Sequence, residues 1–472
     1  MYRISHRRNI DSTGNRLSGY RGCGNGYRGA DMGRRTLLAG RTIRFTGNPF
    51  EADVDDAIEY REGGGVLIED GRILECGDAE SLRQGSPDAV RHDFPHQLLI
   101  PGFIDAHVHY PQTAIIASWG KRLLDWLGRY TFPEEMKFED PSHARKLAAR
   151  YLDLVVSHGT TTVCSYCTTH PQSADAIFAE AGRRRMRLAA GKICMDRNAP
   201  AELCDNAARS YDESRALIDK WHGKDRLTYA ISPRFALTSS RQQLEVLGVL
   251  WQENPGCLMQ THLSEQTEEV AEIRRLFPEA RDYLDVYDSC GLVGDRALFG
   301  HAIHLNDREL DRLKAVGASL IHCPTSNTFI GSGLFDIGRR IPEGQRVGLA
   351  TDTGGGSSFS MLRTMAAAYE IGQLQGCALH PGQLLWLATR GNAEALGMDH
   401  AIGNLAAGNE ADIAVLDLHS TPAIAQRASR ADDVWEEIFP TIMMGDERAI
   451  HSVWVNGKEV GKPARRECSE KS

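Results

Sequence analysis

Residues 98–110 read LLIPGFIDAHVHY, an apolar run that closes on Asp105, His107 and His109 at every second position. Side chains on a strand alternate between faces, so the two histidines point the same way, as does Asp105. Seven comparable stretches follow: residues 160–168 (TTTVCSYCT), 187–196 (RLAAGKICMD), 227–235 (LTYAISPRF), 256–265 (GCLMQTHLSE), 297–305 (ALFGHAIHL), 318–327 (ASLIHCPTSN) and 346–355 (RVGLATDTGG). Segments with helical periodicity lie between them, such as 143–156 and 241–251. Eight β/α units in succession predict an α/β chain folded as a (β/α)8 TIM-type barrel, with its chemistry at the C-terminal ends of the strands.

Outside this alternation both ends are β-rich. Residues 66–75 (VLIEDGRILE) carry Asp70-Gly71 between two strand-like runs, and 453–460 (VWVNGKEV) carry Asn456-Gly457, both hairpin signals. Residues 411–417 (ADIAVLD) read as one more strand. The expected organisation is a disordered extension over 1–35, a small β-sandwich domain composed of 36–98 and 405–465, and a catalytic barrel over 99–404. The extension is rich in Arg, Gly, Asn and Ser, and Met32 is a candidate true start.

Composition narrows the function. With 54 basic and 63 acidic residues the net charge is −9, which gives no broad basic surface, so nucleic acid is not an expected partner. No apolar run approaches the ~20 residues that cross a bilayer, so no membrane association is expected. The 11 cysteines are scattered and odd in number, which suits reduced thiols in a cytoplasmic protein. Cys164 and Cys167 form a CxxC, read here as buried thiols on a strand.

The polar residues collect at the predicted strand ends: His107 and His109 on the first, His262 and Glu265 on the fifth, His301 on the sixth, Asp352 on the eighth. Two histidines alone read equally well as hydrogen-bonded core; the whole set does not. Imidazole and carboxylate suit zinc or ferrous iron with one position left open. His107, His109, His262 and Asp352 are assigned as ligands of one cation, which lowers the pKa of bound water towards ~7. Asp352 also accepts the water's proton, His301 hydrogen-bonds that water, and Glu265 is the proton shuttle. His304 is expected to face away from the site. His322 and Cys323 shape the seventh strand's mouth, and His158 and His170 have no identifiable partners.

At PGFIDAHVH, THLSE, GHAIH and ATD the chain resembles the amidohydrolase superfamily, over residues 36–460. Within it, His109-Tyr110-Pro111-Gln112, Ser232-Pro233-Arg234-Phe235 and residues 124–135 (LDWLGRYTFPEE) resemble guanine deaminases, and GSGLFDIG and DTGGGSSFSMLRTM resemble their bacterial-type members. Binuclear relatives carry a metal-bridging Lys on strand four, and LTYAISPRF has none, so one Zn2+ (or Fe2+) per chain is expected; Lys192 on strand three reads as structural or as a support to the site. The resemblance implies hydrolysis of guanine to xanthine and ammonia, with Arg234 donating to O6, Gln112 along the ring edge and Phe235 on the ring face. His109, His262, Glu265 and Asp352 also border the substrate, Trp126, Tyr130 and Phe132 form a lid, and a homodimer is implied. Alternatives are another purine, a pterin, cytosine or a triazine as substrate, or a non-catalytic barrel scaffold. The HxE and PCxxC signatures of nucleic-acid-editing deaminases are absent.

Overall fold

The computed structural model describes residues 33–120 and 122–460. The proposed start at Met32, the extension before residue 33 and residues 461–465 lie outside them.

Five strands form the N-terminal part: β1 Thr36–Phe45, β2 Ile58–Arg61, β3 Gly64–Glu69, β4 Arg72–Asp78 and β5 Val90–Pro101. Then come β6 Phe103–His109, β7 Thr160–Tyr166, β8 Arg187–Gly191, the short β9 Ile193–Cys194, β10 Leu227–Pro233, β11 Leu258–Leu263, β12 Ala297–His301, β13 Ser319–His322 and β14 Arg346–Leu349. The chain returns through β15 Ile413–Leu416, β16 Ile450–Val455 and β17 Lys458–Val460. The two ends share one sheet, ordered β17-β16-β15-β5-β1-β3-β4 with β2 beside β1, while β6 to β14 form a second, all-parallel sheet. This is the predicted barrel of eight parallel strands with a separate sheet drawn from both termini.

Local chemistry explains the elements. Asp70-Gly71 and Asn456-Gly457 adopt φ of 49°, 80°, 50° and 72°, as tight hairpins with right-handed strand twist require. β6 and β7 are buried along their whole length, because a parallel sheet inside a ring of helices has no wet face. The outer helix Pro141–Ser157 opens with proline behind an Asp140 cap and turns Ala144, Ala148, Tyr151, Leu152 and Val155 inward.

Two details differ from the strand pattern of the sequence. The opening run is split between sheets: Leu98–Pro101 pair with β15, and the barrel starts at Phe103. Gly102 marks the crossing, where a Cβ would fall 2.3 Å from the Thr161 hydroxyl. After β13 the predicted strand stops at His322, because Pro324 starts a helix over Pro324–Phe329. At the other end of the strands from the polar cluster, Arg187 and Arg226 share Glu410, which leads into the terminal sheet.

The barrel closes without a regular ladder between β6 and β14. Asp352 N–H donates to the His107 carbonyl (3.0 Å), and His109 N–H donates to the Thr353 carbonyl (3.0 Å). Below them, buried Asn392 reaches across the seam: its amide donates to the carbonyls of Ile104 (2.6 Å) and Leu349 (2.7 Å), and its oxygen accepts from Leu349 N–H (2.7 Å). Asn392→Ala leaves three buried backbone groups unpaired. It should lower stability by about 2–4 kcal/mol in urea unfolding; an unchanged midpoint would show that the seam does not depend on this amide.

Candidate functional site

The strand ends that carry the polar residues are bent. Ser264, His301, Ala302 and Asp352 have φ of 49°, 67°, 47° and 49°, a left-handed backbone that non-glycine residues adopt only when their surroundings enforce it. Backbone bonds do the enforcing: Ala302 N–H to the Leu263 carbonyl, Ile303 and His304 N–H to the Ser264 carbonyl, and Asp352 N–H to the His107 carbonyl. The bends turn Glu265, His301 and Asp352 off their strands and over the barrel axis.

There the structure brings together all the residues assigned to the cluster from the sequence. Ligand atoms of His107, His109 and Asp352, and of His107, His262 and His301, lie within 4.8 Å of one another. The Nε2 atoms of His109 and His262 stand 3.1 Å apart, and Asp352 Oδ1 lies 3.6 Å from Nε2 of both His107 and His109. His301 Nε2 is 3.6 Å from Glu265 Oε2 and 3.9 Å from Asp352 Oδ2. Gly300 makes room for this crowding, since a Cβ on it would come 2.5 Å from His107 Cε1.

The outer atoms orient the inner ones. His262 Nδ1 donates to the Arg234 carbonyl (2.6 Å), which leaves its Nε2 as a lone pair facing the cluster. His301 Nδ1 donates to Asn327 Oδ1 (2.8 Å), which points its Nε2 into the cluster, toward Glu265 and Asp352. Ser332 Oγ donates to Glu265 Oε1 (2.9 Å). Asp105 accepts from Thr351 N–H (3.0 Å) and from its hydroxyl (2.5 Å), and so holds the turn that presents Asp352. Tyr166 stacks on His109, with centroids 4.7 Å apart.

The donor set fits a divalent cation. His107 Nε2 and Asp352 Oδ1 are buried without a hydrogen-bond partner. Burial, with smaller contributions from the neighbouring imidazoles and, for His109 and His262, from Arg234, holds His107, His109 and His262 well below the usual imidazole range, which favours their neutral form. Burial also pushes Asp105, Glu265 and Asp352 up to about 7. Neutral imidazoles and carboxyls without a counter-charge, converging on one point, are what a bound cation satisfies.

Beside the cluster is a pocket lined by His109, Gln112, Arg234, Phe235, His262, Glu265, His301 and Asp352 and roofed by Leu123, Trp126, Leu127 and Ile330. Arg234 is buried, and one of its nitrogens donates to both oxygens of Glu135 (2.8 and 3.0 Å). Gln112 Nε2 donates to the same carboxylate (2.9 Å). The Arg234 guanidinium also lies 5.8 Å from the Phe132 ring centroid.

Other sequence candidates lie elsewhere. His304 turns away and meets the Ser332 carbonyl (2.9 Å). His322 is buried against the Phe335 ring, and burial pushes its pKa down to about 3. Lys192 is sequestered with Asp205 (2.5 Å) and Glu213 (3.3 Å), a structural ion cluster. His158 bonds the Leu154 carbonyl, and His170 precedes the helix Pro171–Arg184. Cys164 and Cys167 are free buried thiols whose pKa burial raises.

Sequence reasoning missed Glu135, Asn327, Ser332 and Tyr166. The first three fall inside quoted motifs, but no spacing rule separates Glu135 from Glu134, which pairs with Lys137 instead. The available signal was chemical: a buried Arg234 needs a carboxylate.

Comparison with known proteins agrees with this geometry. A family model described as "Amidohydrolase family" matches residues 98–460. The guanine deaminase of Escherichia coli (strain K12) is 40% identical over 434 residues, covering 91% of this chain and 98% of that protein. The crystal structure of guanine deaminase from Bradyrhizobium japonicum superposes with a TM-score of 0.89 at 34% identity, covering 91% of this chain and 100% of the other. The guanine deaminase of C. acetobutylicum, with guanine bound in its active site, gives a TM-score of 0.82 at 27% identity, with 91% and 100% covered.

The Gly300 contact yields a test. Gly300→Ala must displace the His107 ring, and should cut the divalent metal retained after dialysis by about 10-fold while the circular dichroism spectrum stays that of wild type. Full metal content in the variant would refute the packing argument.

Proposed function

The chain belongs to the amidohydrolase family, and we infer from that membership and from its pocket that it is a guanine deaminase, hydrolysing guanine to xanthine and ammonia. One observation carries the reading: the cation-binding cluster and the Gln112–Arg234–Phe235 wall line the same pocket. A flat ring held by that wall exposes its amino-bearing carbon to the cluster.

The family is metal-dependent, and the residues proposed to hold one Zn2+ are His107, His109, His262 and Asp352. A cation held there makes a water molecule acidic enough to ionise near neutral pH. Asp352 takes the proton that the water gives up. His301, oriented by Asn327, hydrogen-bonds the same water and aims it at C2. As the water oxygen bonds to C2, Glu265, held by Ser332, gives its proton to the ring nitrogen beside C2. It then takes the proton of the new C2–OH and passes it to the amine, so that the C2–N bond breaks to release ammonia and leaves C2=O. The proton on Asp352 restores Glu265 for the next turnover. Arg234 donates to O6, Gln112 meets the N1 edge and Phe235 covers a ring face. Leu123, Trp126 and Leu127 exclude bulk water.

No helix among the described residues is long and apolar enough to cross a membrane. The proposed working state is a cytoplasmic homodimer, on family resemblance, and light scattering that reads a monomer's mass removes the dimer.

Ammonia release from guanine, 8-oxoguanine, adenine, cytosine and ammeline tests the activity; guanine should be much the best substrate, and equal turnover of adenine would sink the assignment. Glu265→Gln should keep its metal while kcat falls by ~10²–10⁴; activity within about threefold of wild type would take Glu265 out of the mechanism. Dialysis against a chelator should abolish turnover, and added Zn2+ should restore it. Turnover that survives complete metal removal contradicts the proposal.

A further inference from the structure

Glu135 touches neither the cation cluster nor the open pocket, yet it is fully buried and both residues of the polar wall converge on it. We propose that Glu135 is a positioning residue that fixes the hydrogen-bond polarity of the substrate edge, making Gln112 an acceptor toward a ring N–H. The proposal rests on the guanine deaminase reading and deepens it.

The argument is one of inventory. An ionised carboxylate only accepts, so the Gln112 amide must turn its NH2 toward Glu135, as the 2.9 Å contact records. Gln112 Oε1 is then committed to the other side, where it is buried without a partner. Gly354 leaves the space the Gln112 side chain occupies, because a Cβ there would sit 2.1 Å from Oε1, while the contact with Glu135 sets which amide atom faces that side. The same carboxylate holds one Arg234 nitrogen with both its oxygens, leaving the remaining guanidinium N–H groups as donors. An acceptor beside a donor matches the N1–H and C6=O of a lactam. It mismatches 2,6-diaminopurine, which has guanine's shape but a lone pair at N1 and an amino group in place of O6. A buried polar wall rejects such an inverted edge far more strongly than an apolar one does.

The helix Phe132–Met136 that carries Glu135 continues from the segment bearing Trp126 and Leu127 of the pocket roof. Roof and recognition wall are therefore set by one stretch of chain. Arg234 also accepts from His262 through its carbonyl, so a general structural fault at Glu135 would disturb the metal ligands and slow every substrate alike.

The experiment compares kcat/KM for guanine and for 2,6-diaminopurine, with metal content and melting temperature measured alongside. Wild type should prefer guanine strongly; absence of guanine turnover defeats the functional reading rather than the role of Glu135. In Glu135→Gln the new amide can donate, which frees Gln112 to turn over. Guanine kcat/KM should fall about 10- to 100-fold, mainly through KM, and the guanine preference should shrink at least about 10-fold. Glu135→Asp keeps an acceptor-only partner and should retain the preference within about threefold. Should Glu135→Gln fail to purify with metal, Gln112→Leu reads the same point by deleting the acceptor, and the preference must collapse there too. An unchanged preference in a folded, metal-loaded Glu135→Gln or Gln112→Leu, or a collapse in Glu135→Asp, overturns the proposal.

Discussion

The active centre depends on how the barrel shuts. β6 and the segment after β14 meet through two backbone hydrogen bonds, from Asp352 N–H to the His107 carbonyl and from His109 N–H to the Thr353 carbonyl. Three of the four residues that make these bonds, His107, His109 and Asp352, are themselves members of the polar cluster, so the bonds that close the cylinder also fix the site. Asp105 and Asn392 brace the same seam from inside, one through Thr351 and the other through the Ile104 and Leu349 backbone. The left-handed backbone at Asp352 is tolerable because these bonds hold both of its sides.

The seam also concentrates lone pairs where water is scarce. Lone pairs of His107, His109 and His262 and the carboxylate of Asp352 face one another with little solvent between. Such a set is costly without a cation and strongly favourable with one. Apolar packing beneath it, by Cys164, Ala189, Ala230, Leu258, Leu298 and Ile321, keeps the polar atoms at the mouth instead of letting them spread down the axis.

A second polar centre, built on Glu135, stands beside the first and divides the labour. In the proposed reaction the cluster would act on the reacting carbon, and the Arg234–Glu135–Gln112 triad would read the edge of the ring. The two are joined at Arg234, whose side chain belongs to the triad and whose carbonyl orients His262. Arg234 thereby links the two polar centres through its side chain and its carbonyl.

Much of this was legible in one dimension. Alternation on strands put His107 and His109 on one face, turn dipeptides marked both hairpins, and the order of polar strand ends named the ligand candidates. Those features are local, set by residue type and by the period of the backbone. Glu135, Asn327 and Ser332 were not legible, although each lay inside a conspicuous motif. Their partners are 99, 26 and 67 residues away. Glu134 and Glu135 are chemically identical neighbours about 100° apart on a helix. Which of them meets Arg234 follows from how that helix is turned toward Arg234 and Gln112, which lie just beyond the ends of β10 and β6, a fact of packing that adjacent letters do not carry.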